Sequence, residues 1–320
     1  VMRKARPGFT LTQLSYFARA AELGSMTDAA ADLFVAQSAV STAVQHLERV
    51  LETQLFIRHR TKGLQLTATG QELLTRARVV LGAVDDTLDA FRPDALTGPL
   101  HATCFPTLAP FFLPRIIHDL TLNHPGIEPR IREGTVDEIV RALASRAIDV
   151  ALTYDLGLGD GIRTEHLATA PVYVALARDH PLAGRGALSL RELADQPMIL
   201  LDMPVSGDYF TELFTSQGLA PDIRYRFASF ESVRAMVARG HGFTLLHQRP
   251  AFDRSYDGSR LTAVQLLDDV RGLDIVLATR EGEPLSRKAA AFAHYARAAL
   301  QAAVSAAAGT DVPPAASTAG

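Results

Sequence analysis

Gln37, Ser38, Ser41, Thr42 and Gln45 bring five hydroxyl or carboxamide side chains together over a short stretch, with no acidic residue until Glu48. These groups hydrogen-bond base edges and phosphates, and an amide can pair with adenine through two bonds at once. Solvent-facing helix surfaces usually carry Glu and Lys instead, so the pattern points to a helix that enters duplex DNA. Arg58, Arg60 and Lys62 follow around Gly63 and could hold phosphates. Cys104 is the only cysteine, which rules out an internal disulfide and fits a reducing compartment. In an apolar run it reads as a small buried hydrophobe.

The elements that would position these residues can be read from caps and apolar spacing. Thr10 can cap a helix over 11–23, with Leu14, Phe17, Ala18 and Ala21 on one face and Gly24 at its end. Ser25 can cap a second helix whose inner face is Ala29, Ala30 and Leu33. A short turn leads to a third helix from Gln37 to about Leu51, striped by Val40, Val44, Leu47 and Leu51. Two short helices joined by such a turn form a helix-turn-helix. Residues 55–66 read as a hairpin, with the cations at its tip. A long helix then runs from Thr69 to about Phe91. Its Leu74, Ala77, Leu81, Val84, Leu88 and Phe91 keep heptad spacing, which favours pairing with a second copy. Pro93 and Gly98-Pro99 mark a domain boundary.

Past residue 98, apolar strand runs alternate with helical ones, which argues for a largely parallel α/β sheet. The expected division is a winged helix-turn-helix at 9–67, a dimerisation helix at 68–94 and an α/β domain at 98–303. The remaining 304–320, rich in Ala, Gly, Pro, Ser and Thr, reads as a disordered tail. The first 66 residues carry eight cations against five acids, whereas the whole chain is at −3, so the basic charge sits at the helix-turn-helix end. No apolar run reaches the roughly 18 residues of a membrane span. The N-terminal residues lack a signal-peptide core, and a cytoplasmic protein is expected.

These residues resemble the LysR-type transcriptional regulators. The resemblance rests on Leu14-Ser-Tyr-Phe17, Gly24-Ser25, Ala29-Ala30, Gln37-Ser-Ala-Val-Ser41, Leu47-Glu48, Leu55-Phe56-Ile-Arg58 and Leu66-Thr67-Ala-Thr-Gly70. Weaker matches continue at Leu113-Pro114, His124-Pro125, Asp149-Val-Ala-Leu152, His180-Pro181-Leu182-Ala183 and Gly240-His-Gly242. Two positions depart from the family pattern. Thr42 stands where Arg is common and cannot make the bidentate contact of Arg to guanine. Glu52-Thr53-Gln54 replaces a loop that usually holds glycine, and only a local change is expected. The resemblance implies an all-α winged helix-turn-helix followed by a two-lobed α/β effector domain similar to periplasmic binding proteins. Lobe one is expected at about 98–164 and 271–303, and lobe two at 165–270. It further implies homodimers, commonly homotetramers, that bind double-stranded DNA and a small effector between the lobes.

In open α/β sheets ligands bind at strand ends beside helix N-termini. That places Thr107, Leu108, Thr153, Tyr154, Ser206, Phe230 and His247 as candidate effector contacts. Free N–H groups after Thr107 would suit a carboxylate, so the expected effector is a small anionic or aromatic organic molecule. No cofactor or metal is expected, because the histidines lack ligand spacing. Gly157-Leu-Gly159-Asp-Gly161 is a poor dinucleotide turn, with Ile162 where a third glycine belongs, and no nucleophile elbow or zinc helix is present. An enzyme is therefore not expected. A solute-binding module and an effector-independent DNA-binding protein are the alternatives.

Overall fold

The computed structural model describes residues 8–59, 63–91 and 96–308. They fall into two compact units. The first ends at Leu96 and also takes in Ser145–Ala147; the second holds the rest.

In the first unit the caps set the helix limits. Thr10 accepts from the Gln13 N–H while Gln13 reaches back to the Thr10 N–H, opening α1 (Leu11–Leu23) with a capping box. Gly24 ends it at φ 62. Ser25 accepts from the Asp28 N–H and opens α2 (Met26–Asp32). The turn contains Phe34, a non-glycine at φ 55 whose side chain is exposed. It leads to α3 (Gln37–Val50), then the antiparallel pair β1 (Phe56–His59) and β2 (Gly63–Leu66), then α4 (Ala68–Ala90). Phe17, Ala29, Val40, Val44, Leu47 and Leu55 are buried in one cluster, with the Phe17 and Phe56 rings 5.4 Å apart. Each of the larger side chains contributes about 1.5–3 kcal/mol through burial. Arg19 pairs with Asp32 through two nitrogens and fixes α1 against α2. Glu52 adopts φ 51, the left-handed conformation for which glycine is the easier residue.

The α4 seam does not behave as one surface. Leu74 and Ala77 are buried, and Leu74 belongs to the core of its own winged helix. Leu81 packs partly against that core. Only the far end is open, with Leu88 50% and Phe91 84% exposed. Heptad spacing thus serves intramolecular packing first and leaves the last turns for another surface.

The second unit holds two sheets. Its elements run β3 (Gly98–Cys104), α5 (Ala109–Asn123), β4 (Ile127–Glu133), α6 (Val136–Ala144), β5 (Val150–Tyr154) and β6 (Ile162–Ala170). Then come β7 (Tyr173–Ala177), β8 (Ala187–Leu188), α7 (Leu190–Leu193), β9 (Pro197–Leu201), α8 (Ser206–Thr215) and β10 (Asp222–Phe227). The last are α9 (Phe230–Ala238), β11 (Thr244–Leu246), β12 (Leu261–Leu266), β13 (Leu273–Arg280) and α10 (Arg287–Ala308). Sheet one has the order β4-β3-β5-β13-β6. Sheet two comprises β10-β9 and β11-β7-β12-β8, joined by the Met198–Phe243 bridge.

Three expectations need correction. The sheets are mixed rather than largely parallel: β13 runs antiparallel to β5 and β6, and β7 antiparallel to β11 and β12. These reversals arise because the chain leaves sheet one and returns to it. The crossing also comes later than 165, since β6 stays hydrogen-bonded to β13 through Ala170. Finally, α10 continues to Ala308, so residues 304–308 are helical; alanine has the highest helix propensity, and its abundance there favours helix.

Candidate functional site

Helix α3 presents two faces. Val40, Ala43, Val44 and Leu47 are buried, while Gln37, Ser38, Thr42 and Gln45 are exposed on the other side; Ser41 is half-buried between them. The first residue before the helix is Ala36, which provides no side-chain cap. The first-turn N–H groups therefore have no side-chain acceptor at the cap position, leaving a partial positive charge beside the polar face. Arg58 lies on β1, but its side chain is outside the described residues, as are Arg60 and Lys62.

The second candidate site is a cavity between the two sheets of the second unit. It encloses about 300 Å³ including its open mouth. Phe105, Thr107, Tyr154 and Leu273 line it from the sheet-one side, and Leu201, Phe210, Phe230, Leu246, His247 and Gln248 from the other. No Lys, Arg, Asp or Glu is among them. The Tyr154 phenol is paired with the Thr107 hydroxyl and accepts from Gln248 Nε2 at 3.1 Å. Burial pushes this phenol up to about 12, against the pull of those two hydrogen bonds. The His247 ring lies among Tyr154, Tyr209 and Phe210, with ring centroids 5.2–5.9 Å away. Its Nδ1 is 3.0 Å from the Ala170 carbonyl, the last residue of β6. Tyr209 donates to the Arg271 carbonyl at 2.6 Å, just before β13. One side chain from sheet two thus holds each of the segments that connect the sheets. Burial lowers His247 to about 4, against the Ala170 and Pro171 carbonyls, so the ring is neutral at ordinary pH.

Four of the seven expected effector residues come together here: Thr107, Tyr154, Phe230 and His247. Leu108 and Thr153 do not. Both are fully buried and lie outside the lining, because strand alternation and the turn into α5 direct them into the core. Ser206 begins α8, but its side chain is outside the described residues. The expected free N–H groups after Thr107 are also not there: Leu108 and Ala109 both donate to the Phe105 carbonyl, and Pro110 has no N–H.

Residues 93–301 match the LysR substrate binding domain, and residues 11–71 match the bacterial regulatory helix-turn-helix protein of the lysR family. The chain belongs to the LysR family. It is a DNA-binding transcription regulator with an effector-binding domain, and regulators of this family oligomerise. The HTH-type transcriptional regulator YvbU of Bacillus subtilis is 32% identical over 244 residues, covering 75% of this chain and 82% of that protein. The hydrogen peroxide-inducible genes activator of Dickeya chrysanthemi is 29% identical over 239 residues, covering 74% and 78%. The crystal structure of HinK, a LysR family transcriptional regulator from Pseudomonas aeruginosa, is 36% identical with a TM-score of 0.62, covering 91% of this chain and 99% of that one.

Sequence reading missed Phe105, Leu201, Phe210, Leu246, Gln248 and Leu273 in the wall of this LysR-type cleft. Leu201 and Leu246 end apolar strands of the alternating pattern, so their positions were available; a search for polar strand ends passed over them. Phe210 and Gln248 carried no such signal. Among the described residues no helix is long and apolar enough to cross a membrane, and no group of His, Cys, Asp or Glu could hold a metal ion.

Proposed function

We propose that this regulator places the exposed face of α3 in the major groove and that a small molecule between the two sheets of its second unit changes those contacts. The observation that supports this most is the pairing, on one chain, of an uncapped amide-and-hydroxyl helix face with an apolar cavity walled from two sheets. Gln37, Ser38, Thr42 and Gln45 are the base-reading candidates, with Ser41 less open and Arg58, Arg60 and Lys62 assigned to phosphates. The open end of α4, around Leu88 and Phe91, pairs two chains so that their α3 helices meet successive grooves. Two such dimers form a homotetramer. The protein acts in the cytoplasm, where its DNA is.

We read the chain as a binding protein without catalytic activity. The Thr107 hydroxyl is engaged by Tyr154, and His247 Nε2 has no partner, so the cavity wall shows no nucleophile with its base. Relatives named for hydrogen peroxide suggest thiol chemistry as a second reading. Cys104 does not favour it: it is the only cysteine and fully buried, and desolvation with Glu133 nearby pushes its thiol up, away from the reactive thiolate.

Retardation of duplexes from the protein's own upstream region tests both halves. Gln45→Ala is expected to flatten discrimination between operator variants by about 1–3 kcal/mol at one position. Arg58→Ala should weaken all sequences alike and reduce the slope of affinity against salt by about one. Identical sequence profiles for the two variants would end this division of labour. Thr107→Val should leave retardation intact and weaken the effector's influence on the footprint. An undiminished effector response would remove Thr107 from the cleft's working surface.

A further inference from the structure

The cleft has one fully buried side-chain polar atom without a partner. Among the described residues, His247 Nε2 is the buried side-chain nitrogen or oxygen that makes no hydrogen bond. An unmet buried acceptor is costly, and native structures rarely keep one without a use. The other ring nitrogen faces the Ala170 carbonyl, which can only accept, so the proton sits on Nδ1 and Nε2 carries a lone pair. The atom waiting for a guest is therefore an acceptor, and the guest must bring the donor.

The rest of the wall narrows the guest further. Phe105, Tyr154, Phe210 and Phe230 supply flat, apolar faces, and Phe230 is backed by Phe111 at 5.9 Å in a T-shaped arrangement. An anion would find no cation in the wall. Its possible donors are partly engaged: one N–H of Gln248 goes to Tyr154, the Thr107 and Tyr154 hydroxyls share a hydrogen bond, and the Leu108 and Ala109 N–H groups go to the Phe105 carbonyl. Arg234 lies beside Phe230 but is committed to Glu231 and to the carbonyls of Phe252 and Arg254. A cation would find no carboxylate. Burying either charge here is expensive.

Resting on the cleft as the effector site, we propose that it takes a neutral aromatic molecule whose hydroxyl or ring N–H donates a hydrogen bond to His247 Nε2. Specificity then comes from the donor, because an analogue of the same shape without it leaves Nε2 dry and unpaired.

Calorimetry on the full chain with indole, benzothiophene and benzoate tests this. Indole and benzothiophene share shape and area, but only indole has an N–H. Indole should bind about tenfold tighter than benzothiophene in the unsubstituted protein, a factor that follows from one unmet buried hydrogen bond. That ratio should fall to near one in His247→Phe, and benzoate should be the weakest of the three. Equal affinity for the two neutral probes, preference for benzoate, or no binding by indole overturns the ligand class, and each can be read without any variant. Discrimination that survives His247→Phe overturns the role of that ring. Phe230→Ala separates the two levels: benzoate preference with affinity lost in this variant overturns the ligand class and leaves the cleft standing. A probe whose affinity neither variant changes overturns the cleft as well.

Discussion

Gly70→Ala is expected to destabilise the helix-turn-helix unit strongly and weaken DNA retardation, although alanine is the better helix former. A Cβ at Gly70 would lie 2.1 Å from the Leu55 carbonyl oxygen and 2.9 Å from a Leu66 methyl. The oxygen cannot retreat easily. It accepts from the Thr67 N–H at 3.0 Å, and the Leu55 N–H is held by Glu48 at 2.9 Å. Gly70 is equally fixed, its own N–H donating to Thr67 Oγ1 at 2.9 Å. Relief requires α4 to move away from the start of the hairpin, opening the core around Leu55 and Leu74. Against a propensity gain of about 1 kcal/mol, overpacking against backbone costs about 3 kcal/mol or more. A unit of this size commands only about 5–15 kcal/mol in total. Circular dichroism melting should show the first transition lost or lowered by many degrees. An unchanged melting profile would mean that α4 and the hairpin can slide apart freely.

Arg234→Ala should destabilise the effector unit by about 3 kcal/mol and weaken the cleft's ligand at the same time. Arg234 is 2% exposed, yet its guanidinium meets Glu231 at 3.1 Å and the carbonyls of Phe252 and Arg254 at 3.3 and 2.7 Å. Removing it takes the donor from the Arg254 carbonyl, while the Phe252 carbonyl keeps the Arg254 N–H, and leaves Glu231 without its buried partner, the situation in which a buried ion pair is costly to break. Glu231 keeps some access to water, which puts the loss at the lower end of the usual 3–5 kcal/mol range. The guanidinium carbon also sits 5.7 Å from the centre of the Phe230 ring, so a wall residue loses its support. Arg234→Lys should recover little, since an ammonium cannot span the same fork. Urea unfolding that separates the two units is the measurement, and a shift below about 1 kcal/mol would show that the loop at 252–254 is held by other contacts.

The helix-turn-helix was legible because its punctuation is local. Thr10 and Ser25 begin helices through bonds to residues three positions on, Gly24 ends one by its left-handed backbone, and the apolar stripe of α3 is unbroken. Alternating apolar runs do not reveal β6 and β12. The first carries Arg163, Thr164, Glu165 and His166, as a sheet-edge strand can, and its partner β13 lies more than a hundred residues away. The seam of α4 was legible as a seam but not as to what covers it, since heptad spacing is the same whether the partner is the chain's own core or another copy. In the cleft, strand ends located Thr107, Tyr154 and His247 correctly. Thr153 and Leu108, adjacent to two of them, face the core, because a one-residue step along a strand or into a helix reverses a side chain. That His247 would be the atom left waiting depends on Ala170, which lies 77 positions away.

The bonds from His247 to Ala170 and from Tyr209 to Arg271 have a mechanical consequence. The sheets are connected by two short backbone segments, and each is gripped by an aromatic side chain of the cavity region. A guest that tilted the imidazole would act on one joint directly, and on the other through the Tyr209 ring packed 5.2 Å away. In the function proposed above, these two grips are the places where occupancy of the cleft would act on the hinge without a separate relay through either sheet.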